Sequence, residues 1–290
     1  MGERMPILFV VAPALAAGVM VFAVVFGWPR VSLDAPHVDV TSHPDAPRVV
    51  ARLRTRLDPA TETGLMLSVA VGVVVLGAVA VGVLLAMIRS HRGLASYDVR
   101  ISTYAAQHAT AASTSVLKRI NTLGGTGVAV LGSVIVGAVE YRRRRSAHVL
   151  GFLALVVAGQ FAVANIIKYL VDRTRPAIDP LSGFSSSSFP SGHATAAAAG
   201  FVAFAMVLGS GRSRAVRAGL TGAAAAIGVA VALTRVFLGV HWLTDVIGGL
   251  CVGWGWFSLC SIVYGGRRLR FGEPVVQIPP APRPHEHTAR

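Results

Sequence analysis

The sequence predicts an all-α membrane protein, a polytopic helix bundle that crosses the bilayer several times. Of its 290 residues, 53% are hydrophobic and only 14% are charged, and the mean hydropathy is +0.63. Long apolar runs recur along the chain and are separated by short polar joints. About 20 apolar residues in a helix cross the ~30 Å of bilayer hydrocarbon, so each run is a candidate span. Soluble domains are rarely this apolar.

The first two predicted spans are residues 7–28 and 65–88. The first run is longer than the apolar part of a usual signal peptide, and the Pro29-Arg30 that follows offers no small-residue cleavage site. We therefore expect a retained span, with a cleaved signal peptide as the alternative. Residues 29–63 are polar and arginine-rich, and we expect a cytoplasmic loop with a short amphipathic helix at 49–57.

The second part of the chain predicts one surface helix and then five spans. Residues 94–123 are mostly alanine, serine and threonine with scattered apolar residues, which suits an amphipathic helix on the membrane surface. The five spans are 124–139, 147–167, 193–208, 218–238 and 246–264. Together with 65–88 they form a predicted six-span domain at 64–266, preceded by an extra N-terminal span within 1–63. The proline-rich tail at 267–290 predicts disorder in the cytoplasm.

Arginine-rich joints predict the orientation of the bundle. They fall at 142–145, 212–217 and 267–270. An even number of predicted spans separates each joint from the next, so all three lie on the same side of the membrane, and the positive-inside rule places that side in the cytoplasm. The loop after Lys168 and the turn around Gly239 then share the outer face of the plasma membrane. Counting the spans back from these joints puts the N-terminus of the first span outside. The arginines of 89–100 then also lie outside, which is contrary to the positive-inside rule. Although the net charge is +14, no basic stripe is interleaved with aromatic residues, so we expect no nucleic-acid partner.

The stretch 234–245, TRVFLGVHWLTD, places charged side chains where hydrocarbon is expected. Such side chains are costly inside a membrane and are usually paired and functional. His241 and Asp245 are four residues apart, so on a helix they would share one face and the carboxylate could orient the imidazole. Arg235 precedes a predicted break at Gly239 and would face the same point. We expect an anion to bind there.

Two further segments are predicted to meet this stretch at the outer face. Lys168 and Arg175 are seven residues apart at the end of a span, and snorkelling to the interface is their alternative explanation. Pro190-Ser191-Gly192-His193 begins the next span, where exposed backbone N–H groups and the positive end of the helix dipole favour an anion. A simple helix cap is the alternative there.

These three segments resemble the tripartite signature of the type 2 phosphatidic acid phosphatase superfamily, in its membrane lipid phosphatase branch. The matching patterns are Lys168-x6-Arg175-Pro, Pro-Ser191-Gly192-His193 and Arg235-x5-His241-x3-Asp245. The resemblance covers about residues 65–264, and the one departure is a threonine before Arg235 where the family usually has serine.

The resemblance implies a role for each matched residue. His241 would attack phosphorus and form a phosphohistidine, Asp245 would orient its ring, and His193 would protonate the leaving oxygen and then activate water. The phosphate-binding residues would be Lys168, Arg175, Ser191, Gly192 and Arg235. Preorganised cations can replace the metal that many phosphatases need, so we expect no metal and no cofactor. The implied substrate is a lipid phosphate, either phosphatidic acid, phosphatidylglycerol phosphate or a polyprenyl diphosphate.

Several polar residues are predicted to lie outside the site. Arg173 could be a fourth cation, although a solvated or interfacial role is favoured, and His91 and His108 are expected at the surface. Cys251 and Cys260 are expected to pack or to face lipid. Two other functions stay open: a vanadium haloperoxidase, whose relatives are soluble, and a transporter or structural bundle, for which Gly249-x3-Gly253 would be ordinary helix packing.

Overall fold

The computed structural model describes residues 5–27, 62–145, 147–177, 181 and 187–265. Every regular element in these ranges is helical, which confirms the predicted fold class. A 3₁₀ turn spans Gly93–Tyr97. The α-helices are α1 Met5–Gly27, α2 Glu62–Ser90, α3 Asp98–Gln107, α4 Ala111–Thr122, α5 Thr126–Arg144, α6 His148–Val171, α7 Gly192–Gly209, α8 Arg214–Phe237 and α9 Leu243–Gly265. The predicted amphipathic helix at 49–57 and the tail at 267–290 lie outside the described residues.

Six of the described helices are long and apolar enough to cross a membrane: α1, α2, α6, α7, α8 and α9. A seventh crossing results if α4 and α5, which meet at a bend of 45°, are counted as one broken span. The chain is therefore a polytopic membrane protein. The predicted span at 124–139 corresponds to α5, which is a candidate span only together with α4.

The single surface helix predicted for 94–123 is wrong, because this segment folds as the 3₁₀ turn followed by α3 and α4. The helix restarts at Thr110, whose hydroxyl accepts the backbone N–H of Ser113 at 3.1 Å, while the Ser113 hydroxyl accepts the N–H of Thr110 at 3.0 Å. This reciprocal capping box satisfies donors that a continuous helix would pair internally. Both short helices pack against α8.

The extra N-terminal helix α1 packs along α8 in the opposite direction. The ring of Phe9 stacks on Phe237 at 6.2 Å, at the C-terminal end of α8. At the other end, Nε of Arg214 donates to the carbonyl of Val25 at 3.4 Å. The N-terminus of α1 therefore lies at the same end of the bundle as the C-terminus of α8. Counting the spans in the sequence predicted the same relative direction for these two helices.

The small residues of α7 and α9 let these two helices approach closely. A Cβ atom added at Gly249 would lie 2.7 Å from the carbonyl oxygen of Ser191, and one at Gly253 would lie 2.6 Å from that of Thr195. Real Cβ contacts are not this short, so the two backbones could not approach with larger residues. Gly249-x3-Gly253 is thus a helix-packing motif, and it holds the beginning of α7 against the beginning of α9.

Candidate active site

The three predicted segments meet at one end of the bundle. Lys168 lies in the last turn of α6, Ser191 and Gly192 begin α7, and Arg235 lies in the last turn of α8. Gly239 has a positive φ of 71°, and there the chain reverses so that the backbone N–H groups of Val240 and His241 both donate to the Arg235 carbonyl at 3.2 Å. Glycine adopts this left-handed conformation without strain.

His241 and Asp245 are both buried and face each other, but they do not share a helix face as the spacing predicted. Helix α9 begins at Leu243, so His241 precedes it. Asp245 instead turns back over the helix N-terminus: its Oδ2 accepts the backbone N–H of Trp242 at 2.9 Å and lies 3.4 Å from Nδ1 of His241. This is the acidic half of a capping box. The Ser188 hydroxyl donates to the same oxygen.

Burial is the main influence on the protonation of His241. Only 2% of its surface is exposed, and burial lowers the pKa of the ring to about 4, although the Asp245 carboxylate opposes this shift. The nearby guanidinium groups of Arg175 and Arg235 contribute to this lowering of the pKa. The imidazole is therefore neutral near pH 7. With Nδ1 towards Asp245, the lone pair of Nε2 points away from the carboxylate.

Of the two cations of the first predicted segment, Arg175 lies beside this ring and Lys168 lies beside Arg175. Nη1 of Arg175 is 3.1 Å from Nε2 of His241 and donates to the carbonyl of Val240 at 2.8 Å. Burial lowers the pKa of the Arg175 guanidinium. Nζ of Lys168 donates to the carbonyl of Ser187 at 2.6 Å, and Arg175 reaches the same carbonyl at 3.3 Å. One backbone carbonyl thus holds both cations together.

Arg235 enters the site from α8 and is 5% exposed. Its Nη1 donates to Oδ1 of Asn121 at 3.1 Å, while its buried Nε has no hydrogen-bond partner among the described residues. Asn121 comes from α4, which the sequence reasoning treated as a surface helix. His193 lies within electrostatic range of Arg235 and His241.

The beginning of α7 presents free polar groups beside these cations. The Ser191 hydroxyl is buried without a partner in the described part of the chain, and the Ser191 backbone N–H donates to the carbonyl of Asp245 at 3.0 Å. A Cβ atom added at Gly192 would meet nothing within 4 Å, so there is open space at this helix N-terminus. All eight predicted site residues therefore converge on one region.

Arg173 is the functional candidate that the sequence reasoning placed wrongly. Its side chain is 14% exposed and forms ion pairs with Asp245 at 2.5 Å and with Asp98 at 2.8 Å. It also lies over the ring of Trp242, 5.6 Å from the centroid. A solvated role is therefore wrong. A signal was present, because Asp98 is the only carboxylate between residues 94 and 123, and a single acid in such a segment needs a partner when it is buried.

The remaining polar residues contribute little to the site. His91 is exposed, as expected. His108 is partly buried against the Tyr104 ring, with 4.0 Å between centroids, while Cys251 is partly buried and Cys260 is buried, both as free thiols. Within the described ranges, no group of three histidine, cysteine or acidic residues is arranged to hold a metal ion.

A cavity of about 350 Å³ connects Lys168 with the side of the bundle. Its other lining residues are Asn165, Tyr169, Asp172 and Ser187. Tyr169 and the neighbouring Leu170 are 86% and 70% exposed on the outer surface of α6. The cavity therefore adjoins the exposed surface of α6 and is lined by Lys168 of the site.

Several known proteins are similar in sequence to this chain. The family model of the PAP2 superfamily matches residues 149–269. Phosphatidylglycerophosphatase B of Bacillus subtilis is 35% identical over 141 residues, which cover 48% of this chain and 68% of the relative. Lipid A 1-phosphatase of Rhizobium etli is 37% identical over 131 residues, or 41% of this chain, and the match spans only about half, 51%, of that relative's length.

A solved structure has the same fold. The crystal structure of a transmembrane PAP2 type phosphatidylglycerolphosphate phosphatase from Bacillus subtilis superposes with a TM-score of 0.62 at 30% sequence identity, covering 68% of this chain and 98% of that one. Residues 149–269, which the family model matches, contain the three segments that converge at the site. The chain therefore belongs to the PAP2 superfamily.

Proposed function

We propose that the protein hydrolyses the phosphomonoester or diphosphate group of a lipid, without a metal ion, through a phosphohistidine on His241. The observation that carries this proposal is the position of the His241 ring between Asp245 at Nδ1 and Arg175 at Nε2. A neutral imidazole held by a carboxylate is an oriented nucleophile, and a guanidinium at its reactive nitrogen marks where an anion binds.

In the first step, Nε2 of His241 attacks phosphorus and forms a P–N bond while the bond to the lipid oxygen breaks. Asp245 stabilises the positive charge that develops on the imidazole. His193 donates its proton to the leaving oxygen, so this step uses His193 in its protonated form. In the second step, His193 accepts a proton from water, the water oxygen attacks phosphorus, and His241 leaves with inorganic phosphate as the product.

The cations supply the electrostatic part of catalysis. Lys168, Arg175 and Arg235 hold the three non-bridging oxygens, on which negative charge is spread in the transition state. The unpartnered Nε of Arg235 and hydroxyl of Ser191 are buried donors that a phosphate oxygen would satisfy. Donors fixed in place before the reaction cost no reorganisation when charge develops. Gly192 leaves room for the anion at the N-terminus of α7, where the helix dipole favours it.

A lipid substrate is supported by the cavity beside Lys168, through which a phosphate group could reach these cations. The 350 Å³ cavity at Lys168 adjoins the exposed side chains of Tyr169 and Leu170. A lipid could bring its phosphate to Lys168 while its acyl or prenyl chains stay in the bilayer. Phosphatidic acid, phosphatidylglycerol phosphate and polyprenyl diphosphate all satisfy this geometry, as does the phosphate of a lipid A-like glycolipid.

We further propose that the site lies on the outer face of the plasma membrane. The ends of α5 and α7 that are remote from the site lead into the arginine-rich joints at 142–145 and 212–217. Arginine-rich joints of this kind resist translocation and stay in the cytoplasm. The site lies at the opposite end of the bundle, where α7 begins.

The proposal is tested with the full chain in lipid nanodiscs. Phosphate release from a panel of the four lipid classes should persist in excess EDTA, and quenching during turnover should trap acid-labile, base-stable phosphate on the protein. His241→Ala should lower turnover at least about 1,000-fold and abolish the trapped phosphate. His91→Ala is the matched control, because His91 is exposed and remote in sequence from the three motifs.

Three results would overturn the proposal. One is complete loss of activity in EDTA that magnesium restores. Another is full activity of His241→Ala, and the last is the absence of phosphate release from every lipid in the panel by a folded protein.

A further inference from the structure

Arg173 bridges two buried carboxylates that come from different parts of the chain. Its Nη1 is 2.5 Å from Oδ1 of Asp245, and its Nη2 is 2.8 Å from Oδ2 of Asp98. Asp245 is 0% exposed and Asp98 is 2% exposed. Charged groups are buried in proteins only when they are paired and hydrogen-bonded. This triad connects Asp98, at the first turn of α3, with the partner of the proposed nucleophile.

Asp98 also binds the first turn of α9 directly. Its Oδ1 accepts the backbone N–H of Thr244 at 3.1 Å, and its Oδ2 accepts the Thr244 hydroxyl at 2.6 Å. The same hydroxyl oxygen accepts a bond from Arg173 Nη1 at 2.7 Å. A carboxylate at a helix N-terminus satisfies an unpaired donor and interacts favourably with the helix dipole. Asp98 thus fixes the residue immediately before Asp245.

The bonds divide the two oxygens of Asp245 between two tasks. Oδ1 is bound by Arg173, whereas Oδ2 faces His241 and accepts from Trp242 and Ser188. Without Arg173, the carboxylate could rotate about its Cβ–Cγ bond and exchange these oxygens. Because Arg173 is neutralised in part by Asp98, it can bind Asp245 without withdrawing all of the negative charge that His241 needs.

We propose that Asp98 and Arg173 are positioning residues for the phosphoryl-transfer reaction, which hold Asp245 with Oδ2 towards His241 and balance the charge around that ring. The inference rests on the proposed function of His241. Asp98 lies outside residues 149–269 that match the family model, and Arg173 occupies an unspecified position within the first signature pattern, Lys168-x6-Arg175-Pro. Helix α3, outside the spanning segments, is therefore a structural part of the active site.

The charge balance predicts opposite effects for the two members of the pair. His241 is faced by the carboxylate of Asp245, by the guanidinium groups of Arg175 and Arg235 and, across the site, by His193 and Lys168. Asp98→Asn makes this environment more positive, which disfavours the imidazolium and lowers the pKa of His241. Arg173→Gln makes it more negative and raises that pKa. The acid limb of the kcat/KM profile should shift to lower pH in the first variant and to higher pH in the second.

Both variants should lower kcat by about 10- to 100-fold, the range found when a residue that orients a metal-binding side chain is lost, with little change in KM. The double variant Asp98→Asn with Arg173→Gln should return the acid limb close to the wild-type position. Arg173→Lys keeps the positive charge but loses the planar set of guanidinium N–H donors that binds both carboxylates. It should therefore lower kcat without shifting the acid limb of the kcat/KM profile. Arg100→Gln, at an exposed position of the same helix, is the matched control and should change neither quantity.

Thermal unfolding of each variant separates positioning from a purely structural role. The inference is overturned if folded single variants keep wild-type kcat, or if their acid limbs stay in place or move in the same direction. If Asp98→Asn fails to fold, Arg173→Lys still decides the question, because unchanged kcat would refute positioning. Trapping phosphate on wild-type His241 tests the proposed phosphohistidine separately. The proposed function and the positioning role of Asp98 and Arg173 can therefore be refuted independently.

Discussion

Nη1 of Arg175 lies 3.1 Å from Nε2 of His241, while Nδ1 of the same ring faces Asp245 at 3.4 Å. The ring is thus placed between a cation that can bind a phosphoryl oxygen and an anion that can stabilise the imidazolium. Arg175 and Asp245 therefore have different effects on catalysis, and substitutions can distinguish these effects.

Asp245→Asn tests the anionic side. The amide keeps a hydrogen bond but loses the charge that stabilises the positive ring, so kcat should fall by about 10²- to 10⁴-fold with a modest change in KM. Asp245 raises the pKa of His241 against the effect of burial, so its removal lowers a pKa that is already about 4. The acid limb assigned to His241 should therefore move to lower pH. An unchanged kcat in steady-state assays would show that the carboxylate is not required.

Lys168→Arg tests the cation at the cavity. Lysine is scarce in this chain, with only Lys118 and Lys168 among 27 basic residues. The compact ammonium donates to the Ser187 carbonyl at 2.6 Å, and a planar guanidinium cannot reproduce that position. We expect a loss of kcat/KM of at least about tenfold although the charge is retained. Lys118→Arg, on α4 outside the signature, is the matched control, and activity of Lys168→Arg within about twofold of wild type would contradict a specific requirement.

The sequence predicted the members of the site better than their local geometry. Six of the eight converging residues are ionisable side chains at motif spacing, whose chemistry is unusual in apolar segments, whereas Ser191 and Gly192 were predicted from the helix start that they form. The shared helix face of His241 and Asp245 was wrong, because the positive φ at Gly239 and the backbone bonds to Arg235 delay the start of α9. Spacing alone does not reveal where a helix begins.

The contributions of α3 and α4 could not be predicted for a different reason. Asp98 and Asn121 come from a segment of moderate polarity that favours a surface location, and their partners Arg173 and Arg235 are distant in sequence. The tertiary packing of α3 against α8 and α9, and of α4 against α8, brings them into contact. The burial of Arg173 followed from the same packing.

Gly249→Ala tests whether close helix packing aligns the site. The added methyl group would lie 2.7 Å from the Ser191 carbonyl, so α7 and α9 must separate and carry Ser191 away from His241. Overpacking of this kind typically costs about 1–3 kcal/mol, and we expect a lower unfolding temperature together with a lower kcat. Gly255→Ala is the matched control on the same helix, since its Cβ would meet nothing within 4 Å. Equal behaviour of the two variants in thermal unfolding and in activity would refute this role of the packing.

The orientation of the whole bundle is tested by cysteine labelling in intact cells. Arg92 and Arg212 are both exposed; Arg92 precedes the 3₁₀ turn that leads into α3, and Arg212 lies in the joint between α7 and α8, at the end of α7 remote from the site. Cys251 and Cys260 are first replaced by alanine, and single cysteines are then introduced as Arg92→Cys and Arg212→Cys. A membrane-impermeant thiol reagent should label the first and not the second, because the arginine-rich joint stays in the cytoplasm. Permeabilised cells, in which both should react, show that each thiol is reactive. Labelling of Arg212→Cys alone in intact cells would invert the topology, and the enzyme would then act on lipids of the cytoplasmic leaflet.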